Sequence, residues 1–205
     1  MRIAVFPIAA FAVTVLLGAF PLTAAAQDAG VNLRGTIDKV EGDKLVLNTR
    51  EGTKATVALS GDTRVSGTEK RTLADIKDGS YVASTSMKGT DGKLHAMEVH
   101  LFPPGPPPRN LNQRPYDLAP NSLMTNAQVK QISKVGANGE ITVNYEGKNE
   151  VVVVTPDTPI VIAVAGDKSL LKPGATVFIA ATKKADGTYT ATRITAEKNG
   201  VKPPM

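Results

Sequence analysis

Hydrophobic and polar positions alternate over short runs of this chain, and the arrangement of these runs occurs twice. Residues 77–101 predict two β-strands joined by a tight turn at Asp91-Gly92, because apolar and polar residues alternate on both sides of that turn. Residues 172–197 show the same arrangement 95 positions later, with the turn at Asp186-Gly187. A hairpin that recurs at a constant offset indicates one β-unit used twice.

Three shorter strands are predicted before the first hairpin, at 31–40, 44–49 and 53–59, with glycine-containing turns between them. In the first of these strands we expect Leu33, Ile37 and Val40 to face the core and Gly35 to mark a β-bulge. Residues 60–62 break the pattern. The stretch 72–76 predicts one helical turn that leads into the hairpin.

The second copy repeats this order with strands at 128–135, 140–145 and 148–154. We align Ile132 with Ile37 and Val135 with Val40, which places Lys130 where the first copy has Gly35. The apolar run at 159–164 is expected to be central or covered, since such a run would promote aggregation if it were exposed.

Three strands, a short crossing and a hairpin follow the order of a small Greek-key barrel of the OB type. We therefore predict an all-β protein with two tandem OB-like modules at 29–102 and 127–198, and a tail at 199–205.

The segment between the modules, 103–126, contains seven prolines and predicts a semi-rigid, proline-rich linker. Alternatively, its proline run is a ligand for an aromatic groove in a partner protein. The residues of this segment that we expect to meet a partner are Pro103, Pro104, Pro106, Pro107, Pro108, Arg109, Arg114 and Tyr116.

The first 26 residues predict a signal peptide: Arg2 is followed by an apolar run at 3–22 and by a cleavage site of small residues at 24–26. An uncleaved anchor is the alternative, which the prolines in the run and the adjacent cleavage site disfavour. The mature chain is then periplasmic or secreted. It contains no other apolar stretch long enough to cross a bilayer as a helix.

The chain has no cysteine, which excludes disulfides, thiolate catalysis and cysteine-held metal clusters. Its formal charge of +5 is spread along the sequence and is typical of a solvated surface. Aromatic residues make up 4% of the chain. We expect no nucleic-acid partner, because such binding relies on aromatic platforms beside a basic groove.

The candidate metal ligands are His95, Met97, Met87 and His100. His95 and Met97 share a strand face, and Met87 joins them only if the hairpin loop holds an odd number of residues. A set of histidine and methionine ligands would suit Cu(I), whereas structural methionines explain the same pattern. No motif of a serine or metal hydrolase and no phosphate-binding loop is present, so we expect neither catalysis nor a cofactor.

The recurring pattern of Gly35, Ile37, Val40, Asp62-Thr63 and the Asp-Gly hairpins resembles uncharacterised, exported bacterial proteins built from OB-like β-modules. The longer arrangement, with VHLFPP at 99–104, YDLAPNSLMTNA at 116–127 and PPM at the end, is similar to alphaproteobacterial proteins often labelled metal ABC transporter permease. A single removable hydrophobic segment cannot form a transport pathway across a bilayer.

These features together predict an exported, non-enzymatic binding or scaffold protein of the bacterial envelope, with an envelope protein or polymer as partner. The alternative function is a periplasmic metal-handling accessory that uses the histidine and methionine set described above.

Overall fold

A computed structural model describes residues 29–204, so the predicted signal peptide at 1–26 lies outside the described residues. Within that range the only helices are two short 3₁₀ turns, Leu73–Asp75 and Lys168–Leu170, and neither could cross a bilayer. The predicted all-β class is confirmed. The strands are β1 (Ala29–Glu41), β2 (Lys44–Thr49), β3 (Lys54–Arg71), β4 (Tyr81–Lys88), β5 (Leu94–Leu101), β6 (Gln113–Pro115), β7 (Leu123–Val135), β8 (Asn138–Tyr145), β9 (Lys148–Val154), β10 (Ile160–Ala165), β11 (Thr176–Lys183) and β12 (Tyr189–Ala196).

The strands pair into two closed rings of five. In the first barrel β1, β2 and β3 are neighbours, and β11 and β12 complete the ring by pairing with β1 and β3. In the second barrel β7, β8 and β9 are neighbours, and β4 and β5 complete the ring by pairing with β7 and β9. Each barrel therefore takes three strands from one half of the sequence and a hairpin from the other half.

This hairpin exchange differs from the sequence-based expectation that 29–102 and 127–198 each close on themselves. The physical reason lies in β3, which continues through the predicted break at 60–62 and ends at Arg71. Its second half pairs with β10. Because β3 is so long, the chain leaves the first barrel at its end, and the next two strands, β4 and β5, pair with strands of the second barrel.

The two halves are related by an approximate two-fold axis. Thr68 of β3 lies opposite Ala163 of β10, and these residues are separated by the repeat offset of 95. β10 lies between β3 and β5, so the predicted central position of the apolar run at 159–164 is confirmed. Ile160, Val161 and Ile162 are buried there.

The first strands of the two halves align differently from the predicted match. Thr36 pairs with Thr176, and Gln128 pairs with Tyr81 at the equivalent place, so the offset between β1 and β7 is 92 rather than 95. Both strands have a bulge at equivalent positions, Asp38 and Lys130. The predicted bulge at Gly35 is wrong: Gly35 pairs with β2 on one side and β11 on the other, where no side chain fits.

Two separate cores fill the barrels. The first contains Ile37, Leu45 and Val57 together with Ile179 and Ile194 from the exchanged hairpin. The second contains side chains of β7, β8 and β9 together with side chains of the other exchanged hairpin, including Val129, Ile141, Val152, Val82 and Val99. Each core thus depends on residues from both halves of the sequence.

The segment predicted as a linker, 103–126, is built into the fold. Its β6 pairs with β7 of the second barrel, and β7 itself begins at Leu123 rather than near 128. Tyr116 to Ser122 form a short loop, in which the Ser122 hydroxyl lies 2.8 Å from the carbonyl oxygen of Ala119 and 3.0 Å from that of Tyr116. Leu111 and Leu123 pack on the second core. The segment therefore forms part of the surface around the barrels rather than a spacer that holds them apart.

Candidate functional site

A cleft of about 440 Å³ lies between the two barrels at the approximate two-fold axis. Ser66 of β3 and Ala163 of β10 line this cleft, and these two strands pair with each other at the axis. The proline-rich segment contributes one wall through Pro103, Pro108 and Arg109, and the C-terminal tail contributes Pro203 and Pro204. The volume falls within the range of about 300–1,000 Å³ that is typical of small-molecule sites.

Arg34 of β1 is the most unusual side chain of this cleft. Only 3% of it is exposed, although arginine is rarely buried unless it is paired. Its guanidinium lies between two aromatic rings, with 5.3 Å to the centre of Tyr116 and 5.1 Å to the centre of Phe178. Its Nε has no hydrogen-bond partner among the residues that the structure describes. An unpaired buried donor costs about 1–3 kcal/mol, so an acceptor that reached this N–H would be bound favourably.

Asp117 balances the charge of Arg34 from the turn after β6. Arg34 Nη2 donates to Asp117 Oδ1 at 2.8 Å, and Asn32 Nδ2 donates to Oδ2 at 3.1 Å. Burial would raise the pKa of Asp117, but these hydrogen bonds outweigh it and hold that pKa below its usual value. Burial likewise opposes the charge of Arg34, and the bond to Asp117 outweighs it, so the guanidinium pKa is raised.

Arg50 fastens the same turn to the first barrel. Its two terminal nitrogens donate to the backbone carbonyls of Asp117 and Leu118, each at 3.3 Å. Since β6 is paired with the second barrel, residues 113–118 contact both barrels and hold Tyr116 over Arg34.

Glu98 of β5 is the second buried charge of the cleft, with 3% of the residue exposed. Its Oε1 accepts a hydrogen bond from Thr85 Oγ1 at 2.7 Å and lies 3.4 Å from His100 Nε2. Burial would raise the pKa of Glu98, but the contact with His100, the hydrogen bond from Thr85 and the positive charge of Arg34 outweigh it and lower that pKa. The carboxyl group is therefore ionised at neutral pH and faces the cleft together with Arg34.

The lining of the cleft is basic. Among the described residues that line it, Glu98 is the only acidic one, whereas four are arginines: Arg34, Arg109, Arg114 and Arg193. A partly enclosed cavity with one excess sign of charge attracts ligands of the opposite sign. The chemistry of the cleft thus fits an anionic group that is hydrogen-bonded by guanidinium donors beside aromatic rings.

Five of the eight residues that the sequence predicted for partner binding line this cleft: Pro103, Pro108, Arg109, Arg114 and Tyr116. The remaining three, Pro104, Pro106 and Pro107, are exposed. Sequence reasoning missed Arg34, Phe178, Glu98 and Arg193. The available signal was Arg34 itself, which is the only charged residue between Ala29 and Ile37.

The four metal candidates divide between two places. Met87 lies directly opposite His95. The hairpin loop between their strands holds an odd number of residues, which is the condition stated above for Met87 to lie on the same face as His95. His95 Nε2 lies 3.1 Å from both carboxylate oxygens of Asp91, and Met97 occupies a bulge. His100 lines the cleft beside Glu98 instead. A strand extends about 3.3 Å per residue, so His95 and His100 lie too far apart to share an ion. The described residues contain no cluster of three histidine or acidic side chains that could hold one.

Residues 131–195 match the family model of a domain of unknown function, DUF5666. The match covers less than half of the chain and extends from within β7 to β12. It includes three strands of the second barrel and the hairpin that completes the first barrel, so the matched sequence unit is not one closed barrel here. No curated protein and no solved structure matches the chain.

Proposed function

We propose that this protein is an exported, non-enzymatic binding protein of the bacterial envelope, and that the cleft between its two OB-like barrels binds an anionic group of the ligand. The observation that carries this proposal is Arg34, a buried guanidinium with an unpaired Nε in a basic cavity.

The surroundings of Arg34 support a binding role. Asp117 pairs with Nη2 and leaves Nε unpaired, and the two aromatic rings restrict the orientation of the guanidinium. A side chain whose rotamer is already fixed loses little entropy when a ligand binds. Arg193 and Arg114 are exposed at the cleft, where they can attract an anion before it reaches Arg34.

The proposal also gives the proline-rich segment a role. Proline restricts the backbone without an internal hydrogen-bond pattern, so a wall made of prolines keeps its shape at low entropic cost. Pro103 and Pro108 form that wall, and Arg109 adds a positive charge to it.

Titration calorimetry of the mature chain with small carboxylates and inorganic phosphate tests the proposal. We expect binding that weakens about tenfold or more in Arg34→Met, because a charged hydrogen bond contributes about 1.5–3 kcal/mol. Arg193→Met should weaken binding to a smaller extent, and since Arg193 is exposed this variant will fold. Arg64→Met is the matched control, because Arg64 is exposed on β3 and does not line the cleft.

Two results contradict the proposal. Either no anion gives heat above that of buffer, or both cleft variants bind as tightly as the parent chain and the Arg64 control.

A further inference from the structure

The backbone around the cleft is two-fold symmetric. Ser66 of β3 pairs with Thr195 of β12, and at the equivalent place Val161 of β10 pairs with His100 of β5. Both pairings are parallel and follow the same register, displaced by the repeat offset. A symmetric framework with identical side chains would offer the same chemistry to both ends of a ligand.

The side chains of this cleft break that symmetry. Four pairs of equivalent positions line the cavity, and in each pair the two residues differ in charge or size. At these positions the first barrel carries two arginines and an aromatic ring, whereas the second barrel carries the carboxylate of Glu98. Arg114 of β6 adds a cation on the second barrel's side of the cleft. The pairs, with the first-barrel residue given first, are Arg34 and Asn126, Phe178 and Ala83, Arg193 and Glu98, and Thr195 and His100.

Glu98 provides the acidic wall with an accepting group. The contacts with Thr85 and His100 are both made by Oε1, and no hydrogen bond among the described residues reaches Oε2. Burying a carboxylate is costly unless donors surround it. A ligand donor at Oε2 would satisfy this acceptor, and an acceptor that reached Arg34 Nε would satisfy that buried donor.

We propose that the cleft takes an amino-carboxylate, with its carboxylate against Arg34 and Arg193 and its ammonium group against Glu98. This inference rests on the proposed function and adds the second charge of the ligand and its orientation. The aromatic pair of Tyr116 and Phe178 lies beside the carboxylate end. The opposite orientation would place like charges together at both walls, which is unfavourable.

Three probes with the same four-carbon skeleton separate binding of the carboxylate from binding of the ammonium group: butyrate, butylamine and 4-aminobutyrate. The series glycine, β-alanine and 6-aminohexanoate then varies the spacing between the charges. We expect the best amino acid of the series to bind about tenfold or more tightly than butyrate, since each charge-assisted hydrogen bond contributes on that scale. Butylamine should bind more weakly than either.

Glu98→Gln keeps the shape of the side chain and removes its charge. It should reduce the affinity for the amino acid to that of butyrate while the affinity for butyrate stays unchanged or rises. Glu41→Gln, at the exposed end of β1, is the control and should change neither affinity. If Glu98→Gln unfolds, which circular dichroism would show, His100→Ala provides a second variant that alters the same wall.

The outcomes distinguish the inference from the function on which it rests. If butyrate binds through Arg34 and the ammonium group adds nothing at any spacing, the dipolar ligand is wrong and an anion site remains. If neither butyrate nor any amino acid of the series binds, this inference is overturned. Binding of phosphate alone would then still support the anion site.

Discussion

Gly35→Ala is expected to destabilise the protein by about 3 kcal/mol, because overpacking against fixed backbone lies at the upper end of the usual cost of about 1–3 kcal/mol. A Cβ at this position would collide with the backbone carbonyl oxygen of Asn48 and lie 3.0 Å from both its carbonyl carbon and the Cα of Thr49. These backbone atoms belong to β2, which pairs with β1 and β3 on its two sides and cannot move aside.

Urea unfolding followed by circular dichroism measures this effect. Gly30→Ala is the matched control, because Gly30 lies in the same strand and a Cβ there meets no atom within 4 Å. Equal unfolding midpoints for the two variants would show that β1 does not lie between β2 and β11 as described.

Ile194→Ala should lower the free energy of unfolding by about 2–5 kcal/mol, as is usual for isoleucine truncation in a core. Ile194 is 0% exposed and packs with Ile37, Leu45 and Val57. Because these partners belong to the other half of the sequence, amide hydrogen exchange should accelerate first in β1, β2 and β3.

Val99 occupies the equivalent position of the other hairpin and is also 0% exposed. Val99→Ala should therefore accelerate exchange first in β7, β8 and β9, whose side chains share its core. If instead each variant loosened the three strands of its own half, the hairpins would not be exchanged.

Much of the secondary structure could be predicted from the sequence. Alternation gave β2 its observed bounds, and the Asp-Gly pairs mark both hairpin turns, where Gly92 and Gly187 adopt positive φ angles of 78° and 83°. Leu73–Asp75 forms the expected helical turn, in which the Asp75 carboxylate accepts from the backbone N–H and hydroxyl of Thr72. These features depend on local sequence, so local patterns suffice to predict them.

The exchange of hairpins could not be predicted in the same way. Val99 and Ile194 are both β-branched aliphatic residues at equivalent places in the two hairpins, so the local pattern does not indicate which barrel each hairpin fills. The choice depends on β3, whose second half pairs with β10 instead of ending near residue 60. That pairing joins residues about a hundred positions apart, and the alternation of apolar and polar residues along one strand does not predict which distant strand it pairs with.

The candidate site was predictable only in part. Tyr116, Arg109 and Arg114 were identifiable because they belong to the proline-rich segment, which the sequence sets apart from the repeated strands. Arg34 and Glu98 lie on strands, where a charged residue normally marks the solvent face. They are buried because the exchange brings the two barrels together and the segment covers them.

Intramolecular disulfide trapping tests the hairpin exchange most directly, since the chain has no cysteine of its own. Gly30 lies opposite Thr182 of β11, and opposed residues of antiparallel strands lie about 4.5–5.5 Å apart between Cα atoms, within disulfide range. The residue that corresponds to Thr182 in the other hairpin is Met87, which lies opposite His95 in the second barrel. We predict that oxidised Gly30→Cys/Thr182→Cys forms an intrachain disulfide, seen by mass spectrometry and as a monomer on a non-reducing gel, whereas Gly30→Cys/Met87→Cys keeps both thiols free. A disulfide within the second pair and none in the first would contradict the exchanged barrels and, with them, the cleft between them.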